Sequence, residues 1–231
     1  MGEMVQFPLN GGTTNGYLAI SRHGSGPGVI VLQEWWGLVD HIKDVCDRFA
    51  NEGFTALAPD LYHGKATKSP DEAGKLMMAL NIDQAEKDVG AAIKYLQSLD
   101  SVTSTSASRK VGVIGFCMGG ALALYTTMKN KNIDACIVFY GIHPNVNFYK
   151  LTELNAPVLG NFAENDSSVP PDDVRKLEHF LKIFRKPINF KIYPGADHAF
   201  FNDTRPEVYN AAAAADAWTR TLAFLSRYMP A

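Results

Sequence analysis

The sequence has little of what marks exported, membrane-spanning or metal-dependent proteins. Its three cysteines, Cys46, Cys117 and Cys136, form no CxxC pair, no zinc-ligand spacing and no even-numbered disulfide framework. No stretch approaches the roughly 18 uninterrupted apolar residues of a membrane span, and residues 1–10 lack the features of a secretory signal. Unpaired cysteines suit a reducing compartment. We therefore expect a cytoplasmic protein without membrane association, metal or organic cofactor.

Charge is also sparse and evenly divided. The 231 residues contain 22 Lys plus Arg and 24 Asp plus Glu, which gives a net charge of −2 without long runs of one sign. This balance argues against nucleic acid or anionic lipid, so a small molecule is the expected partner. Since 46% of the residues are apolar, the chain can bury a core. We interpret residues 1–231 as one domain that forms a monomer or a small homo-oligomer.

Short apolar runs alternate with amphipathic segments along the whole chain. The apolar runs predict strands over Tyr17–Ser21, Gly28–Leu32, Phe54–Leu57, Val111–Phe116, Ala135–Tyr140, Val158–Ala163 and Ile188–Tyr193. Apolar residues at helical spacing predict helices around Ile42–Phe49, Ala85–Leu96, Val174–Phe184 and Ala211–Leu225. This alternation indicates an α/β fold with a mostly parallel, doubly wound sheet, helices on both faces and a site at the carboxyl ends of the strands.

The segment Gly115-Phe116-Cys117-Met118-Gly119 follows a buried strand and precedes a helical stretch. This is the G-x-S-x-G nucleophile elbow of α/β-hydrolases, with cysteine in the serine position. The tight turn needs glycine on either side, and the helix N-terminus favours a thiolate. The glycine spacing matches neither GxGxxG nor a P-loop, which argues against a nucleotide site. Cys117 is therefore the predicted nucleophile, whereas Cys46 and Cys136 are interpreted as buried structural residues.

A cysteine nucleophile needs a base, and the base needs an orienting carboxylate. Asp166 follows the predicted strand Val158–Ala163, and His198 follows the strand Ile188–Tyr193 and a Pro-Gly turn. The order nucleophile, acid, histidine is that of α/β-hydrolases. Asp166 could instead be a turn residue, and His198 a loop histidine. We favour the catalytic interpretation for both, with His143 as a weaker candidate for the substrate pocket.

A carboxylate beside two tryptophans is the other unusual feature of the chain. Glu34, Trp35 and Trp36 directly follow the strand Gly28–Leu32. Glu34 could be a solvated loop acid or a helix cap, but a carboxylate in an apolar turn is costly unless it has a partner. We therefore predict that Glu34 belongs to the site.

The sequence resembles the dienelactone hydrolase family of α/β-hydrolases over nearly its whole length. The resemblance rests on QEWWG at residues 33–37, APDLY at Ala58–Tyr62, GFCMGG at Gly115–Gly120, END at Glu164–Asp166 and DHAF at Asp197–Phe200. It implies the nucleophile Cys117, the base His198 and the acid Asp166, with an oxyanion hole from the backbone N–H groups of Met118 and Trp35. It also implies that Glu34 keeps the resting cysteine protonated and turned aside until substrate binds.

One departure from the family concerns the substrate. Relatives that act on dienelactone anchor its carboxylate with two arginines, one after APDLY and one four residues past the catalytic histidine. In this chain the second position is Asn202, and His63–Asp100 contains no arginine. Only single charges remain as substitutes, from Lys65, Lys68, Lys75 or Arg205.

The sequence thus predicts a hydrolase of small esters or lactones that works through an acyl-cysteine intermediate. The expected apolar wall of its pocket consists of Trp35, Trp36, Tyr62, Phe116 and Phe200. Two alternatives stay open. The thiolate could attack thioesters or activated phosphoesters, or the scaffold could bind ligands or sense oxidants without catalysis.

Overall fold

The computed structural model describes residues 1–9, 11–103, 109–143 and 148–230. Within these residues eight strands form one sheet: β1 (Glu3–Leu9), β2 (Gly12–Ala19), β3 (Gly28–Leu32), β4 (Thr55–Pro59), β5 (Val111–Phe116), β6 (Ala135–Phe139), β7 (Val158–Ala163) and β8 (Ile188–Tyr193). Their order across the sheet is β1-β2-β4-β3-β5-β6-β7-β8. The β1–β2 and β2–β4 pairs are antiparallel, and all the others are parallel.

Helices cover both faces of this sheet because the apolar side chains of its central strands alternate between two cores. The described helices are α1 (Asp40–Asn51), α2 (Pro70–Ala79), α3 (Ile82–Ser98), α4 (Met118–Lys129), α5 (Pro171–Ile183) and α6 (Ala211–Tyr228), with a 3₁₀ helix at Phe148–Glu153. Val29 and Val31 pack with α1 and α6 on one face, and Ile30 and Leu32 pack with α3, α4 and α5 on the other. The predicted doubly wound α/β-hydrolase fold is confirmed.

The predicted strand bounds agree best where strands are buried on both faces. β3, β5, β7 and β8 have the predicted bounds, whereas β2 begins earlier and ends at Ala19, and β4 is shifted towards its carboxyl end. β6 ends one residue before Tyr140, which has a positive φ of 38°. The strand β1 and the helix α2 were not predicted. No helix among the described residues has the length and apolarity that crossing a membrane requires.

Candidate active site

Five neighbouring parallel strands bring their carboxyl ends to one edge of the sheet. Glu34 follows β3, Cys117 follows β5, Tyr140 follows β6, Asp166 follows β7 and His198 follows β8. Parallel strands that lie side by side place the residues just beyond their carboxyl ends close together in space. Residues that are far apart in the sequence therefore meet at this edge.

Cys117 occupies a strained position between β5 and α4. Its backbone has φ 55° and ψ −119°, a conformation that residues with a side chain rarely adopt. A Cβ atom on Gly115 would overlap the carbonyl oxygen of Gly119, and one on Gly119 would lie 2.5 Å from the carbonyl oxygens of Leu32 and Gln33. Only glycine fits at both positions, so the elbow predicted from the sequence is present in the structure.

Asp166 holds the ring of His198 and its own loop at the same time. Its carboxylate oxygen Oδ2 lies 2.7 Å from His198 Nδ1, and Oδ1 accepts hydrogen bonds of 2.8 Å from the backbone N–H groups of Ser168 and Val169. The Asp166 side chain is buried, and the His198 side chain is one quarter exposed. The Asp166 carboxylate therefore contacts the histidine ring and the backbone of its own turn at the same time.

The surroundings of His198 favour its protonated form. Burial lowers the pKa of the ring, but the hydrogen bonds with Asp166 and Cys117 and the charges of both partners outweigh burial and raise that pKa to about 10. A ring with this preference can take the proton of a thiol and remain beside the thiolate as an imidazolium. The structure thus brings Cys117, His198 and Asp166 together in the predicted order.

Glu34 is almost completely buried, at 1% exposure, behind this group. Its Oε2 accepts a hydrogen bond of 2.9 Å from Asn202 Nδ2, and the hydroxyl of Tyr140 interacts with the same carboxyl group. Burial raises the pKa of Glu34, although Asn202, the charges of His198 and Arg205, and Tyr140 act in the opposite direction. Asn202, at the position where the family resemblance led us to look for an arginine, thus holds this carboxyl group.

Tyr140 is a site residue that the sequence analysis assigned only to a strand. The side chain is fully buried, its ring centroid lies 5.1 Å from that of His198, and its hydroxyl interacts with the carboxyl group of Glu34. Burial raises its pKa well above the usual value, and the charges of Glu34 and Cys117 add to the effect. Its position directly after a buried strand, next to Gly141, was the available signal in the sequence.

A cavity of about 460 Å³ opens onto Cys117 and His198. Its other lining residues include His143, as predicted, and apolar side chains at the α2–α3 junction and on α4. Cavities of this size bind ligands of small-molecule dimensions.

None of the five residues of the predicted pocket wall lines this cavity. Phe116 and Phe200 are fully buried in the core beneath the site, where both contact Phe139. Trp36 packs edge-on against Trp35 and under the guanidinium of Arg205 instead. Tyr62 lies behind Met118, to whose sulfur its hydroxyl donates a hydrogen bond of 3.3 Å. The predicted wall was therefore wrong at Trp35, Trp36, Tyr62, Phe116 and Phe200, because aromatic residues near strand ends also pack against one another and fill the core.

The two residues assigned to an oxyanion hole flank the elbow. Met118 is the first residue of α4, so its backbone N–H has no acceptor within its own helix. Trp35 follows β3, whose last carbonyl groups pack against Gly119. As for metals, the described residues contain no group of three or more His, Cys, Asp or Glu side chains with the geometry of a metal site.

A strained elbow between a strand and a helix, on a mostly parallel sheet with later strands that supply an acid and a histidine, defines an α/β-hydrolase. A sequence model of the dienelactone hydrolase family matches residues 14–229, and the chain belongs to that family. Family membership supports a hydrolase activity.

Individual relatives agree with this assignment. "Protein usf" of Aquifex pyrophilus is 40% identical, and the match covers 99% of this chain and 100% of the relative. A solved structure named a "putative dienelactone hydrolase", from Klebsiella pneumoniae subsp. pneumoniae MGH 78578, is 29% identical with a TM-score of 0.88 over 99% of both chains. A dienelactone hydrolase-like promiscuous phosphotriesterase from metagenomic libraries shares the fold, at 23% identity and a TM-score of 0.85 over 99% of this chain and 98% of that one.

Proposed function

We propose that the protein hydrolyses small carboxylic esters or lactones through an acyl-cysteine intermediate, without a metal or organic cofactor. The observation that carries this proposal is the Asp166–His198 contact of 2.7 Å, with the same ring hydrogen-bonded to Cys117 at the elbow. An oriented imidazole beside a thiol at a helix N-terminus is the arrangement that activates a cysteine nucleophile.

The chemistry proceeds in two stages. His198 takes the thiol proton, the sulfur of Cys117 bonds to the carbonyl carbon, and the carbon–oxygen bond to the leaving group breaks as His198 returns the proton to that oxygen. Water then gives a proton to His198 and attacks the thioester, and the carbon–sulfur bond breaks to release the acid and restore the thiol. Each oxyanion donor, Met118 or Trp35, contributes about 3 kcal/mol, and acid–base catalysis a factor of roughly 10² to 10⁴.

The first test is the removal of the sulfur. We expect Cys117→Ala to abolish hydrolysis of 4-nitrophenyl butyrate while the circular dichroism spectrum and melting temperature stay close to those of the parent. Cys117→Ser retains an oxygen nucleophile that needs a stronger base, so we expect a large loss there too. Cys46→Ala, which removes a buried thiol of α1, serves as the control and should remain active. Most of the activity surviving in Cys117→Ala would contradict the proposal.

A second candidate reaction is attack of the same thiolate on an activated phosphotriester. It is favoured by the lining of the cavity, whose described residues include no Lys, Arg, Asp or Glu, and by the fold shared with a promiscuous phosphotriesterase. Paraoxon releases 4-nitrophenolate when sulfur displaces it from phosphorus. Release that continues beyond one equivalent and is lost in Cys117→Ala would support this activity, whereas release at the buffer rate would eliminate it.

A non-catalytic oxidant sensor would behave differently with the same reagents. It would be modified once at Cys117 and would show no turnover of any ester.

We further propose that the protein works in the cytoplasm, as a monomer or small homo-oligomer acting on a small molecule. The support is that its cysteines, Cys46, Cys117 and Cys136, are all free thiols.

A further inference from the structure

The cavity at Cys117 is suited to binding an uncharged group. We infer that the protein selects neutral, predominantly apolar esters and discriminates against esters whose bound part carries a carboxylate. This inference rests on the proposed function, since it names the substrate class of the same site.

Among the described residues, the lining of the cavity offers a substrate anion no lysine or arginine. None of the described residues that line the cavity is Lys, Arg, Asp or Glu. The described lining residues with polar side-chain groups are Cys117, Tyr125, Tyr140, His143, Ser168 and His198. A substrate anion would therefore find no lysine or arginine inside the cavity.

The second argument is the composition of the walls. They are formed by apolar side chains at the α2–α3 junction, where Met77, Met78, Leu80 and Ile82 lie, and on α4, where Leu122 and Tyr125 lie. The thioether and alkyl groups here are adaptable and offer favourable contact to an alkyl or aryl group. Each buried methylene of a substrate is worth up to about a fourfold gain in affinity.

Arg205, whose charge acts on Glu34, is engaged by residues outside the cavity. The Arg205 guanidinium lies 5.7 Å from the centre of the Trp36 ring, and its Nε donates a hydrogen bond of 2.8 Å to Glu207. Its charge acts on buried Glu34, and it does not line the cavity. A substrate carboxylate would lose its hydration in an apolar space without a lysine or arginine in return, since the His198 imidazolium is already paired with Asp166, and this is strongly unfavourable.

The test compares 4-nitrophenyl esters that differ only in charge. Butyrate, hexanoate and octanoate esters form the neutral series, and 4-nitrophenyl hydrogen adipate is paired with its methyl-capped analogue, 4-nitrophenyl methyl adipate. We expect kcat/KM to rise along the neutral series until the chain fills the cavity. The anionic adipate should be about 100-fold poorer than its methyl-capped partner. Equal values for the two adipates, or a preference for the anion, would overturn the inference.

A variant at the cavity mouth provides an independent test. Met78 is 86% exposed, so Met78→Arg adds a cation with little risk to the fold, and Met78→Gln is the neutral control. We expect Met78→Arg to raise the ratio of kcat/KM for the anionic adipate to kcat/KM for the methyl-capped ester about two- to fivefold relative to Met78→Gln. An equal effect on both esters would contradict the role assigned to charge.

The same assays separate failure of this inference from failure of the proposed function. Activity that depends on Cys117 but prefers the anionic ester would overturn the inference and leave the cysteine hydrolase in place. Activity that persists in Cys117→Ala would instead remove the proposed function, whatever the preference for charge.

Discussion

At the residue scale, unfavourable features are concentrated at one edge of the sheet. Cys117 has a strained backbone, and Glu34 and Tyr140 bury a carboxyl group and a hydroxyl against each other. Each of these costs folding free energy, and local strain and buried polar groups are typical of functional sites. We therefore expect a substitution that removes one of these unfavourable features to stabilise the fold and to lower the hydrolytic activity.

Glu34→Gln tests this trade-off and its pH dependence. Burial raises the pKa of Glu34 above its ordinary value of 4.5, so this group stabilises the fold most below pH 4.5 and loses that contribution as the pH rises. We expect Glu34→Gln to increase the free energy of unfolding by about 1–2 kcal/mol at pH 7.5 and to match the parent near pH 4. Urea denaturation at both pH values measures the difference.

The control for this experiment is Glu52→Gln, a surface change just beyond the end of α1 that should alter stability by less than about 0.5 kcal/mol. Ester hydrolysis should fall in Glu34→Gln only. A Glu34→Gln protein less stable than the parent at pH 7.5 would show that the carboxylate is satisfied in the fold, contrary to the account.

Sequence reasoning found the residues whose spacing has a direct chemical meaning. Cys117, Asp166 and His198 each follow a recognisable strand, and their order along the chain is informative. Tyr140 and Asn202 were missed as members of the site, because a positive φ and a contact between residues 168 positions apart leave no local pattern. Phe116 was assigned to the pocket although its side chain packs into the core, which position in the sequence alone does not reveal.

At the element scale, the elbow between β5 and α4 is the most constrained part of the molecule. It joins a fully buried strand to a helix whose first residues pack against the end of β3. Elements with less burial were the ones that sequence analysis overlooked: β1 lies at the sheet edge with mostly exposed residues, and α2 buries only Ala73. A weak apolar pattern predicts neither a strand nor a helix, even when the segment borders the site, as α2 does.

Two glycine substitutions distinguish the elbow from an ordinary helix. Gly115→Ala would place a methyl group against the Gly119 carbonyl, so we expect a loss of about 3 kcal/mol or more in the free energy of unfolding, or no folded protein. Gly74→Ala, in α2, meets open space and should stabilise by about 0.5–1 kcal/mol. Thermal and chemical denaturation provide the measurement. Equal effects of the two changes would contradict the close packing assigned to the elbow.

At the scale of the whole molecule, the parallel part of the sheet brings the site residues together. The net charge of the protein contributes little to substrate binding at that site. Five adjacent strands supply one site residue each, while the net charge is only −2 and none of the described residues that line the cavity is Lys, Arg, Asp or Glu. Association with a neutral ester should therefore depend on contact and burial, with no long-range electrostatic attraction.

Salt dependence tests this statement. We expect kcat/KM for 4-nitrophenyl butyrate to change by less than about twofold between about 0.02 and 0.5 M sodium chloride, since no charge pair between enzyme and substrate is available to be screened. The anionic hydrogen adipate ester is the internal comparison. A decrease of about tenfold for the neutral ester would show that electrostatic attraction contributes to binding after all.

The central claim is that the sulfur of Cys117 bonds covalently to the acyl group of the substrate. Acid quenching of the reaction with a 4-nitrophenyl ester, followed by proteolysis and mass spectrometry, tests it directly. We expect the peptide containing Cys117 to gain the mass of the acyl group, and we expect no such gain in Cys117→Ala. Turnover without any acylated Cys117, or with the acyl group on another residue, would contradict it.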